Sequence, residues 1–361
     1  MRPAVHSPTG FAAGPAAECC IPNGQLWEGT TSVRYVEACG LRMSVIGLGA
    51  WQFGSPEWGW GAQFGPAEAL AVVDRARALG ITLIDTAELY GRGESERLLG
   101  RALADPVTRD SVVLASKVTP TWPTRDRVAA AARGSLARLG TDHLDLYQVH
   151  WPNPLVPQRS TMAGMRTLQA GGLIRQVGVS NYSLSRWQAA EADLGGPVVS
   201  NQVRYSLLTR RPERRLLPDA AAAGRQVIAS SPLAPGALAA KYTADTAPGG
   251  VRAGNLLFSA ENLRRAEPVL SALRELAQAH QATPAQVALA WVVSHPGVVA
   301  IPGAKSVAQV EANAAAADLP LAPDELAHLT TAADRFHREL VGSAGALVGR
   351  RLRPSRRTAE G

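Results

Sequence analysis

The sequence predicts an α/β protein folded as a (β/α)8 TIM barrel, and three observations carry that reading. Eight short apolar segments suited to strands alternate with eight helical patterns along the 361 residues, the count of a closed parallel barrel rather than of a doubly wound sheet. The length fits one such domain. Chemically versatile side chains also recur where successive strands end: Asp85 after the apolar run 81–84, Lys117 after 112–116, and His150 after 144–149, with Tyr90 five residues beyond Asp85. Strand C-termini of such a barrel converge on one face, where its chemistry is done.

The elements follow in order. Residues 33–37 and 42–45 around Gly40 suit a hairpin closing the barrel floor. Strands are expected at 45–48, 81–84, 112–116, 144–149, 176–179, 198–201, 227–229 and 298–301. Helical patterns lie at 67–79, 94–104, 125–139, 162–170, 184–192, 212–223 and 284–294, with another at 307–316 after the last strand. Additional helices are expected at 261–279 and, packed across the barrel, at 323–336. Gly80, Gly140 and Gly224 sit just past helix ends, where a left-handed residue closes the last turn. Thr283, Pro284 and Gln286 form a capping-box pattern with proline at the first helical position. Segment 234–258 is long and includes Pro235, Pro248, Gly249 and Gly250, and a loop of that length at the catalytic face suits a lid or binding loop.

The organisation read from this pattern is a disordered Gly/Pro/Ala-rich extension over 1–30, one barrel domain over 31–340, and a basic, disordered tail over 341–361. Hydrophobic residues make up 46% and charged residues 19%, as in an ordinary globular domain. No apolar run approaches the ~20 residues that span a bilayer. The first 17 residues hold no compact apolar core of a signal peptide. Cys19, Cys20 and Cys39 lack metal-ligand spacing and read as free thiols of a reducing cytoplasm, with no metal implied. The net charge of +7 is concentrated in the last dozen residues, where five arginines face one glutamate. The body keeps only three excess positive charges, without the interleaved aromatics of a nucleic-acid surface.

Asp85, Tyr90, Lys117 and His150 make chemical sense together if the site reduces a carbonyl. The developing alkoxide needs a proton donor. Tyrosine has the shape for it, but its ordinary pKa of ~10 is high for an acid near neutrality. An ammonium beside it, Lys117, is expected to lower that value. The lysine needs a carboxylate to stay charged in a partly buried place, and Asp85 is the candidate. His150 can donate to the substrate oxygen or relay a proton.

With these residues in view, the chain from about 33 to about 336 resembles the aldo-keto reductases. The resemblance lies in residues 47–54 (GLGAWQFG), 85–96 (DTAELYGRGESE), Ser116-Lys117, 146–150 (LYQVH), 178–182 (GVSNY), 201–206 (NQVRYS) and 301–305 (IPGAK). It implies Tyr90 as proton donor, with Asp85, Lys117 and His150 completing a tetrad, and NADPH as cofactor. By the same resemblance Ser180, Asn181 and Gln202 hold the nicotinamide carboxamide, and Lys305 faces the 2′-phosphate. Gln309 and Asn313 fall near the adenosine end. Gly49, Ala50 and Gln52 border the cofactor, as do Ser230, Ser231, Pro232, Leu233 and Gly236, and Ile301, Pro302 and Gly303. Trp51 and Trp151 wall the substrate pocket, and Trp58, Trp60 and Trp122 are further candidates to line it. An ammonium against a phosphate is sound chemistry in its own right.

One departure concerns Ser230. The family carries an aromatic there that stacks on the nicotinamide, in a Tyr-Ser-Pro-Leu context, whereas this chain reads Ser230-Ser231-Pro232-Leu233. A neighbouring aromatic such as Tyr205 is a candidate substitute. A dinucleotide-binding Rossmann motif fails, because Gly47-Leu48-Gly49 is followed by Gln52 at the sixth position and by no immediate helix. No Gly-x-Ser-x-Gly elbow, P-loop or HExxH is present.

The expectation is therefore a cytoplasmic, monomeric or weakly self-associating enzyme that reduces an aldehyde or ketone with NADPH, without nucleic-acid or membrane partners. Two alternatives stay open: an NADPH-binding regulatory protein resembling channel β subunits, and an NADP(H)-binding lyase or isomerase acting on a sugar-like substrate. Lys241-Tyr242 and the stretch from Arg252 to Phe258 resemble the pyridoxal-reductase branch.

Overall fold

The structure, a computed structural model, describes residues 34–338 except 120, 247 and 249. The expected extension over 1–30, the tail over 341–361, and Cys19 and Cys20 lie outside the described residues.

Strands β1 (Tyr35–Ala38) and β2 (Leu41–Ser44) form the expected antiparallel hairpin. It sits on the strand N-termini: Gln176 and Gln226 donate to the carbonyls of Cys39 and Glu37, and the Tyr35 hydroxyl donates to Gly80 O at 2.9 Å. The barrel then runs β3 (Leu48–Gly49), α1 (Pro66–Ala78), β4 (Leu83–Asp85), α2 (Glu94–Ala102), α3 (Pro106–Asp110), β5 (Val113–Val118) and α4 (Arg125–Leu139). It continues with β6 (Leu144–Val149), α5 (Gln158–Ala170), β7 (Ile174–Ser180), α6 (Leu184–Leu194), β8 (Ser200–Arg204), α7 (Leu216–Ala222) and β9 (Gln226–Ser230). Helices α8 (Ala260–Ala279) and α9 (Pro284–Val293), strand β10 (Val298–Ala300), and helices α10 (Val307–Ala315) and α11 (Pro323–Asp334) complete it.

All eight barrel strands pair in parallel, in the order of the chain from β3 to β10. Parallel bridges Ile46 to Ala300 and Gly49 to Gly303 join the two edges, so the sheet is a (β/α)8 TIM barrel. Strands covered on both faces by helices and interior read as unbroken apolar runs. All six residues of β5 and of β6 are accordingly buried.

Departures from the sequence reading are local. The first strand is shorter than 45–48 and shifted, because its pairing to β10 is made by single bridges and by Gly47 N–H to Ala300 O at 2.7 Å. Strand β5 runs on to Val118, which places Lys117 inside the sheet rather than past its end. The extra helix α3 is nucleated by Asp105, whose carboxylate accepts from Thr108 N at 2.8 Å ahead of Pro106. The helix expected over 212–223 breaks at Arg215 (φ −146°) into a 3-10 turn, Arg211–Arg214, and α7. The last helix stops at Asp334 rather than 336. The long loop over 234–258 forms three 3-10 turns, Ala234–Ala239, Gly250–Gly254 and Leu256–Phe258. Among the described residues no helix is long and apolar enough to cross a membrane, and no three His, Cys, Asp or Glu side chains group as a metal ion would require.

Candidate active site

Parallel pairing builds the site in layers. Asp85 is opposite Ala115, Lys117 lies two residues further up and opposite Gln148, and Gln148 is opposite Gly178. Side chains two apart on a strand share a face, so these residues stack inside the barrel near its C-terminal mouth. Glycine at 178 is what lets Gln148 turn inward: a Cβ there would lie 2.9 Å from Gln148 Cγ and 2.6 Å from Ser200 Oγ.

Lys117 is the hub, with no solvent exposure. Its Nζ donates to Asp85 Oδ2 at 2.5 Å, to Thr86 O at 2.8 Å and to Tyr90 Oη at 3.2 Å. All three ammonium protons are thus placed, as a buried charge requires. Asp85 Oδ1 is satisfied separately, by Gln148 Nε2 at 3.1 Å and Gln202 Nε2 at 2.8 Å. Gln148 escaped the sequence reading; a lone amide in the inward register of an otherwise apolar strand was the available signal. Gln202, expected at the cofactor, also braces Asp85.

The loop carrying Tyr90 is pinned from below. Ala50 N donates to Asp85 O at 2.9 Å, and Ser95 Oγ lies 2.8 Å from Thr86 Oγ1 and donates to Ala50 O at 2.9 Å. Gly91 has φ +55°, and a Cβ on it would lie 2.6 Å from Gly54 O, so two backbones touch there.

The electrostatics correct one expectation. Burial raises the Tyr90 pKa; Lys117 pulls it down and Asp85 pushes it up, and the outcome lies above the ordinary phenol value rather than below it. For Lys117, burial alone lowers the pKa, yet Asp85 and Tyr90 more than offset this and hold it above the usual lysine value. His150 is pushed down to about 3 by burial and then by the Lys117 charge, which makes it a neutral imidazole. Its Nδ1 is buried without a partner, and its ring meets Tyr90 edge-on at 5.7 Å between centroids. At neutral pH it can donate one N–H bond but holds no surplus proton to relay.

Aromatic rings surround the mouth. Trp51 is half-exposed and contacts Trp58 at 5.0 Å and Tyr90 at 6.3 Å, while Trp151 stacks obliquely on His150 at 4.5 Å. Trp51 therefore adjoins Tyr90, and Trp151 adjoins His150. Trp60 instead packs with Phe53 and Phe64, and Trp122 makes no ring contact among the described residues.

The remaining predicted positions lie around the same mouth. Ser180 ends β7, and Asn181 Nδ2 donates to His150 O and Ser180 Oγ, both at 3.0 Å. Asn181 Oδ1 and Gln202 Oε1 keep no partner among the described residues, which suits a carboxamide NH2. Gln52 is buried and clamps Gly49 O and Ala304 O at 3.0 and 2.8 Å, so its amide is spent on the fold. Gly303 lies against it, since a Cβ there would lie 2.6 Å from Gln52 Oε1. Ala50 is fully buried, and Ile301 and Pro302 lead from β10 toward Lys305. Ser230 ends β9; Ser231, Pro232 and Leu233 follow, and Gly236 lies in the next 3-10 turn. Tyr205 is no substitute for the missing aromatic: it is fully buried against Trp291 and His295, with its hydroxyl on Glu213.

Lys305 Nζ reaches Trp58 O and, at 3.3 Å, Gln63 Oε1. Burial and then the charges of Arg252 and Lys241 lower its pKa. None of the three cations has an acidic partner among the described residues; Arg252 lies over the Trp58 ring and donates to Pro235 O. Three unpaired like charges fit a dianionic phosphate. Arg252 and Lys241 were not foreseen in this role, since they stand 53 and 64 positions before Lys305 in the sequence. Gln309 accepts from Lys305 N at 2.8 Å and so fixes that loop, while Asn313 is buried in α10.

A lysine-centred polar cluster thus lies under an aromatic mouth at one end of a closed parallel barrel. A family model described as the aldo/keto reductase family matches residues 45–334. The chain belongs to that family. It is 53% identical over 305 residues to an uncharacterised oxidoreductase of Mycobacterium tuberculosis, covering 84% of this chain and 94% of the relative. It is 37% identical over 293 residues to a methylglyoxal reductase of Escherichia coli, covering 81% and 92%. Among solved structures it is similar to an aldo-keto reductase from Klebsiella pneumoniae in complex with NADPH, with TM-score 0.65, 34% identity, and coverage of 83% and 96%.

Proposed function

We propose that this protein reduces an aldehyde or ketone to the alcohol with NADPH, using Tyr90 as proton donor. The observation that carries the reading is the Lys117 ammonium, buried and shared between Asp85 at 2.5 Å and the Tyr90 hydroxyl at 3.2 Å. Related structures with NADP or NADPH bound support the cofactor assignment, as do the unpaired cations Lys241, Arg252 and Lys305 and the free amide oxygens of Asn181 and Gln202. When bound, the reduced nicotinamide supplies a hydride to the carbonyl carbon and becomes NADP+.

The protein's own groups do the rest. Tyr90 Oη gives its proton to the carbonyl oxygen as the C–O π bond opens, so one hydride and one proton complete the alcohol. The raised Tyr90 pKa keeps that proton in place until a more basic alkoxide develops. Lys117 then stabilises the phenolate left behind. Asp85 keeps the ammonium charged, and Gln148 and Gln202 keep Asp85 aimed at it. Neutral His150 donates its N–H to the same oxygen and orients the carbonyl. Trp51 and Trp151 form apolar walls suited to the carbon skeleton of the substrate.

NADPH oxidation with a panel of carbonyl compounds tests the reading, and methylglyoxal and pyridoxal belong in that panel. Consumption with at least one of them supports it. NADPH binding without consumption across the panel would favour a regulatory or isomerising role instead.

A further inference from the structure

A second hollow lies behind the catalytic loop. It encloses about 450 Å³, within the range of small-molecule pockets, between that loop, the end of β5 and helix α4. Leu89 and Arg92, on either side of Tyr90 in the sequence, line it together with Thr119, Thr121 and Arg127; Tyr90, His150 and Trp51 are not among its lining.

The charges in this hollow are unbalanced. Arg138 is committed to Glu96, with Nε to Oε2 at 2.6 Å, and lies 4.0 Å from Glu88. Glu88 is itself held by Thr119 N, which donates to its Oε1 at 2.6 Å. Arg92 and Arg127 are exposed, and neither guanidinium has an ion-paired or hydrogen-bonded partner among the described residues. The hydroxyls of Thr119 and Thr121 are likewise uncommitted. Two arginines without an acidic partner and two threonines line one cavity, a donor set that suits a negatively charged, oxygen-rich group.

The backbone adds an independent observation. Arg92 has φ +54° between Gly91 and Gly93, which also have positive φ. Glycine or asparagine would take that conformation with less strain. Arg92 nevertheless stands there and lines the hollow, and such strain concentrates at binding sites and switches.

We infer that this hollow is a binding site for a small oxyanion, a phosphate or a carboxylate, distinct from the site that holds the reacting carbonyl. Because its wall is the Tyr90 loop, an occupant bears directly on the segment that sets the position of the Tyr90 hydroxyl.

Calorimetric titration of inorganic phosphate and, separately, of succinate into the full-length protein saturated with NADP+ tests the inference. The cofactor keeps the Lys305 cluster from reporting. Lys305→Ala, titrated without cofactor, separates the two sites should NADP+ fail to bind. The expected result is one saturable oxyanion site, weakened at least tenfold by Arg127→Glu and by Arg92→Asn and retained in Lys305→Ala. The stronger of the two titrants identifies the oxyanion. Thermal melting checks that each variant is folded, and Thr119→Val serves as a third probe. Absence of saturable binding of either anion, or binding unchanged in both arginine variants, overturns the inference.

Discussion

Replacing Asp85 by asparagine removes one charge and almost no volume from beneath a lysine with no solvent exposure. In the wild-type protein Lys117 Nζ sits 2.5 Å from Asp85 Oδ2. Breaking a buried pair by removing one partner costs about 3–5 kcal/mol, because the remaining charge is left uncompensated. Without its counter-ion, burial pushes the ammonium below the ordinary lysine value. In wild type the folded-state pKa of Lys117 is raised, so its stabilisation is present below the unfolded value and is lost only as pH rises through the folded one. In Asp85→Asn the sign reverses. The unfolded chain then binds the extra proton, so stability rises with pH up to the ordinary lysine value of ~10.4. With an unfolding entropy of ~2.1 cal/mol/K per residue over about 300 residues, the full penalty lowers Tm by roughly 5–8 °C. Thermal unfolding at about pH 6.5 and about pH 9.5 is the assay, alongside turnover at both pH values. The gap between wild type and variant should shrink at the higher pH, and turnover near neutrality should fall about a hundredfold or more. An unchanged Tm, or a gap that does not depend on pH, would refute the coupling of Asp85 to Lys117.

Three further predictions concern other parts of the site. Lys305→Ala should weaken NADPH binding about tenfold, as loss of one charge-assisted contact implies, while NADH changes less than about threefold by the same fluorescence titration. Equal weakening of both would deny a 2′-phosphate contact. Gly91→Ala should cost well above the ~1–2 kcal/mol of left-handed strain alone, since its Cβ would meet Gly54 O at 2.6 Å. Gly140→Ala, with φ +65° and nothing within 4 Å, should cost only the strain, so comparing their denaturant midpoints isolates the backbone contact. His150, with a pKa of about 3, should stay neutral in NMR pH titration down to about pH 4. Since its folded pKa lies below the unfolded one, it withdraws stability as pH falls below about 6.5; an imidazole titrating near 6.5 would contradict the burial argument.

Strand count and order were legible in the sequence because parallel strands buried on both faces leave continuous apolar runs, as in 112–116 and 144–149. Caps were legible where the chemistry is local: Thr283 and Gln286 form the box their spacing predicts. The juxtaposition of Asp85, Tyr90 and Lys117 was legible because strand ends in a barrel meet on one face. Two things were hidden. The balance between burial and the Lys117 charge at Tyr90 depends on how deeply the phenol sits, which no spacing reveals. The placement of Gln148 and Gln202 on one carboxylate depends on register across several strands, and the cation group of Lys241, Arg252 and Lys305 depends on how an irregular loop folds back. Tyr205 shows the same limit from the other side: close to Gln202 in sequence, it packs against Trp291 and bonds Glu213 instead.

The central claim is that Tyr90 supplies the proton from a site organised by Lys117. Tyr90→Phe keeps the ring and removes only the hydroxyl that Lys117 contacts at 3.2 Å. Measured together, NADPH affinity and the rate of NADPH oxidation with a turned-over carbonyl test the claim most directly. Affinity should stay within about threefold of wild type while the rate falls by the ~10²–10⁴ that a positioned acid contributes; a rate within about threefold of wild type would contradict Tyr90 as the proton donor.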